Sequence, residues 1–273
     1  MKKIILVTGA SSGMGKDFAL QLLKEGHMVY GAARRTDKMK DIVAAGGRAL
    51  AMDVTDVATV EVVVNTIIKE QGRIDVLVNN AGFATYGAVE DVTIDEARYQ
   101  FEVNIFGLAS VTQKVLPYMR GKRSGTIINI SSVGGKIYTP LGSWYHATKH
   151  ALEGWSDCLR LELKQFGINV VLIEPGIINT EFIDVMNEPL RKRSQGGAYE
   201  DMAMQVMKSG EEMYKKPGSY SMPSVISKLV SEAVSSSAPK TRYAGGKLAK
   251  PMIFLRWLLS DRMFDKLIMS QLK

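Results

Sequence analysis

Two hydrophobic periods alternate along the chain. Short runs rich in Val and Ile, with little polar alternation, recur at residues 3–7, 28–32, 49–52, 76–78, 126–130 and 169–173. Runs of this kind suit strands buried on both faces of a parallel sheet. Between them, apolar positions recur at helical spacing over residues 13–24, 37–45, 57–71, 94–119 and 143–166. The alternation predicts right-handed crossovers and a three-layer, doubly wound α/β fold. No repeat, low-complexity tract or linker interrupts it, so one domain over residues 1–273 is expected. In such sheets ligands bind beyond the carboxyl ends of the strands, near the point where strand order reverses.

Two stretches depart from this rhythm. Residues 177–222 lose the alternation and carry six methionines, Met186 to Met222, among the glycines Gly196, Gly197, Gly210 and Gly218. Methionine adapts to irregular apolar ligands and glycine permits movement, which suits a substrate lid; ordinary helix packing with mobile loops explains the stretch equally well. Residues 251–273 read as one amphipathic helix, with Phe254, Trp257, Leu258, Phe264, Leu267 and Ile268 at helical spacing. Its charged residues exclude a membrane span. It could dock over the pocket, dock on a second subunit, or touch a membrane surface.

Composition changes this picture little. Apolar residues make up 46% and charged residues 23%, ordinary globular usage. The single cysteine, Cys158, falls in an apolar helical run and reads as a buried, inert thiol. One cysteine also fits a reducing, cytoplasmic setting. The net charge of +7 is concentrated at one end, because residues 240–273 hold eight basic and two acidic side chains. No basic–aromatic recognition pattern accompanies it, so nucleic acid is not an expected partner. The opening Met1-Lys2-Lys3 and its apolar run end at Thr8-Gly9, too short for a signal-peptide core. His146 and His150 are four apart without a His-Glu-x-x-His pattern, so no metal is expected, and no Gly-x-Ser-x-Gly elbow occurs.

The chemistry-bearing residues stand at strand ends. The first strand runs into Thr8-Gly9-Ala10-Ser11-Ser12-Gly13-Met14-Gly15 before a helix, a turn in which glycine lets backbone approach a pyrophosphate at the helix N-terminus. After the second strand, Ala33 stands where NAD-binding folds place a carboxylate, and Arg34 and Arg35 follow. Guanidinium groups bind a 2′-phosphate that a carboxylate would repel, which favours NADP(H). Solvated loop arginines, with Asp37 serving the ribose, are the other reading. Asp53 could accept from an adenine amino group or cap a turn. Asn79-Asn80-Ala81-Gly82 closes the fourth strand, where small residues let backbone pass close to a ribose. Asn104 lies inside the long helix, three residues before Gly107, a position where the helix could distort.

The fifth strand delivers Ser131 and Ser132, and Tyr145 and Lys149 follow four apart on one helix face. A lysine ammonium nearby favours the phenolate and lowers the tyrosine pKa. A serine hydroxyl could hold a substrate oxygen beside the phenol. Pro175-Gly176-Ile177-Ile178-Asn179-Thr180 ends the sixth strand.

Taken together, these motifs resemble the short-chain dehydrogenase/reductase family in its compact single-domain branch, over residues 3–180. The resemblance implies a Rossmann-like fold and reversible hydride transfer between NADP(H) and a small-molecule carbonyl or secondary alcohol. It implies that Tyr145 is the general acid/base, that Ser132 rather than Ser131 polarises the substrate oxygen, and that Asn104 anchors a water in a proton relay. Lys149 would tune Tyr145 and hold the nicotinamide ribose. Further cofactor contacts are implied from Gly9, Ser11, Ser12, Gly13, Met14, Gly15, Arg34, Arg35, Asp53, Val54, Asn80, Ala81, Gly82, Pro175, Gly176, Ile178 and Thr180. The family likeness also implies a homo-oligomer. Thr241-Arg242-Tyr243 adds a faint likeness to steroid- and retinoid-active members, pointing to a bulky lipophilic substrate. A non-catalytic dinucleotide sensor on the same fold is the alternative function, although Ser132, Tyr145 and Lys149 are all present.

Overall fold

The computed structural model describes residues 1–272, apart from the side chains of residues 182–184. Seven parallel strands form one sheet in the order β3-β2-β1-β4-β5-β6-β7. They are β1 (Ile4–Thr8), β2 (Met28–Ala33), β3 (Arg48–Ala51), β4 (Val76–Asn79), β5 (Gly125–Ile130), β6 (Ile168–Pro175) and β7 (Arg242–Gly245). The order reverses between β1 and β4, and a crevice opens there at the carboxyl edge. All five residues of β1 and all six of β5 are buried, which is why these strands read as unbroken apolar runs.

Helices cover both faces. In chain order they are α1 (Gly13–Lys24), α2 (Lys40–Ala44), α3 (Val57–Gln71), α4 (Ile94–Phe101), α5 (Leu108–Lys122), α6 (Ser143–Leu163), α7 (Phe182–Ser194), α8 (Glu200–Lys215), α9 (Pro223–Ser235), α10 (Ala249–Leu258) and α11 (Asp261–Met269). On one face Phe18 and Leu22 of α1 and Ile226 and Val230 of α9 are fully buried against the sheet. On the other, Val60 and Ile67 of α3 and Val111 and Val115 of α5 are buried in the same way. This is the expected three-layer, single-domain arrangement. Among the described residues no helix is long and apolar enough to cross a membrane.

Several expectations need correction. The segment 94–119 is not one helix: α4 and α5 are joined by a π-helical stretch, Glu102–Gly107. Gly107 presses on the loop after β3, where a Cβ would stand 2.8 Å from Val54 Cγ2 and Val54 O. The segment 37–45 likewise begins as a 3₁₀ turn, Thr36–Met39, before α2. The strand β7 was not anticipated: its four residues, Arg-Tyr-Ala-Gly, bury only Tyr243 and give no apolar run. The likeness seen at Thr241-Arg242-Tyr243 is therefore part of an edge strand.

Cys158 is exposed rather than buried, because it lies on the outward flank of α6. The tail is two helices. Leu259 is extended (φ −89°, ψ 143°), and Ser260 caps the new helix, its carbonyl accepting from Phe264 N at 2.9 Å. The reversal lets fully buried Phe264 dock beside Ile137 and Tyr138.

Candidate active site

The glycine turn owes its shape to contacts that no side chain could share. Gly9 (φ +67°) and Gly13 (φ +53°) occupy the left-handed region that glycine tolerates best. At Gly15 a Cβ would stand 2.3 Å from Asn80 Nδ2 and 2.5 Å from Gly9 O, so α1 can start this close to β4 only with glycine there. Asn80 holds the approach in place by donating its Nδ2 to Thr8 O at 3.0 Å. Thr8 Oγ1 accepts from the backbone N–H of both Asn80 and Ala81, each at 3.0 Å. Asn79, by contrast, points into the core, donating to Asn129 Oδ1 and Thr112 Oγ1. Ser12 precedes α1 without a side-chain cap, and the first turn of α1 holds no acidic residue. The helix thus offers its positive end and free N–H groups to an anion.

Arg34 and Arg35 extend from the end of β2 beside this turn. Both are exposed, and Arg35 Nη2 donates to Ser12 Oγ at 3.2 Å, while Arg34 Nη1 donates to the Tyr99 hydroxyl at 3.3 Å. Asp53 Oδ1 accepts from Thr55 N at 3.0 Å and from Thr55 Oγ1 at 2.8 Å, the turn role foreseen as its alternative. Ser11, Val54 and Ile178 are buried, whereas Met14 packs partly against the core. Past β6, a Cβ on Gly176 would fall 2.1 Å from Lys247 O, so the segment between β6 and α7 passes tightly under the tail. It carries Thr180 to within 3.7 Å of where a Gly13 Cβ would be, above the glycine turn.

The helix α6 carries Tyr145 and Lys149 to the end of β5. Tyr145 is 9% exposed, and burial pushes its phenol above the ordinary value; a hydrogen bond with the Ser132 hydroxyl pulls the other way. Ser132 Oγ also accepts from Gly134 N at 3.0 Å, which fixes the serine at the start of a short 3₁₀ turn. Ser131 turns inward and is buried, its N–H paired with Ile173 O of β6. Lys149 Nζ donates to Ile130 O at 2.9 Å, and burial lowers its pKa to about 8 against the opposing charge of Glu153. Burial is the largest influence on both groups, raising the phenol and lowering the ammonium.

Asn104 stands in the π-helical stretch, 2% exposed. Its Nδ2 donates to Phe83 O at 3.0 Å and to Thr148 Oγ1 at 3.1 Å, and its Oδ1 accepts from Phe83 N at 3.1 Å. It therefore clamps the segment after β4 to the helix that bears Tyr145. Gln100, fully buried, grips the same segment through Phe83 O and Thr85 N.

Three further residues shape the surroundings of Tyr145, a part that residue spacing assigned to none of them. The Tyr86 ring lies 6.0 Å from the Tyr145 ring. His146 joins its Nδ1 to Gly134 O and its Nε2 to Thr139 Oγ1, both at 2.9 Å. It is thereby committed to holding the loop between Ser132 and Tyr145, and burial keeps its pKa low. Arg193 of α7 donates to Tyr86 O at 2.8 Å and pairs with Glu96 Oε1 at 2.6 Å, tying the stretch after β6 to the segment between β4 and α4. Leu190, Ala203 and Met207 pack there against Ala88 and Leu141. A buried charge cluster lies behind the site, with Glu153 and Glu174 facing Lys136 and Arg242. Among the described residues no group of His, Cys, Asp and Glu could hold a metal.

Comparison with known proteins identifies the family. A family profile described as short chain dehydrogenase matches residues 3–191. The chain is 39% identical to a 3-ketodihydrosphingosine reductase of Bacteroides thetaiotaomicron, covering 96% of this chain and 95% of that protein. It is 35% identical to an NADPH-dependent 3-dehydrocapnine reductase of Ornithobacterium rhinotracheale, covering 98% and 96%. A solved short-chain dehydrogenase from Streptomyces avermitilis superposes with a TM-score of 0.81 at 34% identity, covering 98% of this chain and 96% of that one. The profile over most of the chain and the reductases it resembles place it plainly: the chain is an oxidoreductase belonging to the short-chain dehydrogenase/reductase family.

Proposed function

We propose that this protein uses NADPH to reduce the ketone of a long-chain lipid, and that the reaction is reversible. The observation that carries the chemistry is the hydrogen bond between the Ser132 hydroxyl and the Tyr145 phenol beside the glycine turn. The substrate class rests on the relatives named 3-ketodihydrosphingosine reductase and 3-dehydrocapnine reductase, in place of the steroid or retinoid suggested by the tail motif. The apolar packing of α7 and α8 beside Tyr86 and Leu141 suits such a substrate.

The residues present fit NADP(H). At Gly9 and Gly15 a Cβ would strike Asn80, Ala81 and Gly9 O, so glycine keeps the tight turn that presents the start of α1 to a pyrophosphate. Exposed Arg35 beside Ser12 and exposed Arg34 beside Tyr99 supply the guanidinium charge for a 2′-phosphate. When bound, the cofactor supplies the hydride that the carbonyl carbon receives. Ser132 donates a hydrogen bond to the carbonyl oxygen and orients it. Tyr145 delivers its phenolic proton to that oxygen as negative charge develops there. Lys149 then stabilises the phenolate by charge, and Asn104 keeps the catalytic helix in register through Thr148. In the reverse direction Tyr145 takes the alcohol proton.

We further place the protein in a reducing cytoplasmic setting, which its exposed, free Cys158 tolerates. Self-association would use the outer faces of α5 and α6, where Tyr118 and Leu161 are exposed.

The test is NADPH consumption over a panel of 3-keto long-chain amines, 3-ketosteroids, retinal and small aldehydes. Turnover highest with the long-chain ketones is the expected outcome. A preference for steroids or retinal would replace the substrate class, and no turnover with any carbonyl would favour a dinucleotide sensor.

A further inference from the structure

The tail sends its apolar side chains in two directions. Phe264 and Ile268 of α11 turn inward onto Ile137, in the loop between Ser132 and Tyr145. Phe254, Trp257 and Leu258 of α10 turn outward, 56%, 78% and 57% exposed. Positions three and four apart share a helix face, and the Phe254 and Trp257 rings lie 6.0 Å apart. Leu248, one residue before α10, is also exposed. Large aromatic side chains left this open in one contiguous patch mark a contact surface.

Charge identifies the partner. Lys247, Lys250, Arg262 and Lys266 around the patch are exposed, and none forms an ion pair among the described residues. The two acidic residues nearby are already engaged: Asp261 pairs with Arg256 at 2.9 Å, and Asp265 accepts from the Tyr138 hydroxyl at 2.9 Å. A second copy of the chain would set these four cations against their own kind, which opposes association. An anionic lipid surface complements both the cations and the aromatic side chains. At ten and nine residues, α10 and α11 are too short to enter further than the interface.

We propose that this face of α10 docks on an anionic membrane surface. Because α10 follows β7, it rises from the same carboxyl edge of the sheet that carries Ser132. Docking would therefore hold the mouth of the site against the headgroup layer. A lipid ketone could then enter without crossing water, so the purpose of docking rests on the substrate reading above, although the geometry does not.

The test is flotation of the full chain with vesicles of phosphatidylcholine alone or mixed with phosphatidylglycerol. Binding to the mixed vesicles, weakened by added salt, is expected, with little binding to phosphatidylcholine alone. Phe254→Ser with Trp257→Ser, and separately Lys247→Glu with Lys250→Glu, should each lower the bound fraction roughly tenfold or more at an unchanged melting temperature. Failure of the parent to float with anionic vesicles overturns the proposal, as does equal binding to neutral ones. Variants that float like the parent overturn it too. So does a parent dimer, seen in sedimentation, that the aromatic variant converts to monomer, since a second copy then covers the face. Flotation needs no turnover, so a failed substrate reading leaves its outcome readable.

Discussion

The Lys149 ammonium donates to the Ile130 carbonyl oxygen at 2.9 Å, so the helix bearing Tyr145 is tied to the strand that delivers Ser132. The cation thus serves as a strut between strand and helix. Its burial works against stability near neutral pH, because the fold disfavours the charged form. The unfolded chain binds this proton more readily between about pH 8 and the ordinary lysine value, so stability rises with pH across that window. Lys149→Met should therefore raise stability by roughly 1–2 kcal/mol at pH 7 even after losing the Ile130 bond, with the gain shrinking towards pH 10. Thermal melts at the two pH values check this, and an equal gain at both contradicts it.

Tyr145→Phe removes the proton and keeps the ring. Turnover of a responsive ketone should fall ~10²–10⁴-fold, while NADPH still binds. Steady-state kinetics together with NADPH fluorescence titration separate the two effects. Near-parental turnover would falsify the acid role.

Arg34 is exposed beside the glycine turn and its other contact is the Tyr99 hydroxyl, so truncating it leaves the fold intact. In Arg34→Ala the ratio of kcat/KM for NADPH over NADH should drop roughly tenfold, mostly through the NADPH KM. A parent enzyme indifferent between the two cofactors contradicts the 2′-phosphate reading.

Glu174, at the end of β6, is pushed up to about 7 by burial and by the neighbouring Glu153 carboxylate, against the pull of Lys136 and Arg242. A folded-state value raised this way favours the protonated acid, so its stability is present at low pH and is lost as pH rises through about 7. Glu174→Gln stays neutral throughout. The variant should match the parent near pH 5 and exceed it by roughly 1–3 kcal/mol near pH 8.5. Melting curves that stay parallel over this range would show that Glu174 does not titrate there.

Much of this molecule was legible in its residues. Six of the seven strands and the alternation of layers follow from apolar period alone, because a strand buried on both faces cannot hide its pattern. The glycine turn, the Ser132–Tyr145–Lys149 spacing and the arginine pair were equally local, since each depends on residues close in sequence or on a known strand end. What spacing left open was where a side chain goes after the backbone has placed it. That Asn104 clamps Phe83 to α6 depended on the π-helical step at Gly107 and on Thr148, forty-four residues away. The roles of His146 and Arg193 were set by loops that carry no period.

The tail marks the division most sharply. Helical spacing of Phe254, Trp257, Phe264 and Ile268, with cations among them, is plain in the residues, and it reads as one amphipathic helix. In the fold that helix breaks at Ser260, with Phe264 buried behind the loop before Tyr145 and Trp257 held in the open. Amphipathic period reports that a face is apolar, whereas what covers that face depends on contacts from distant segments, which period does not encode.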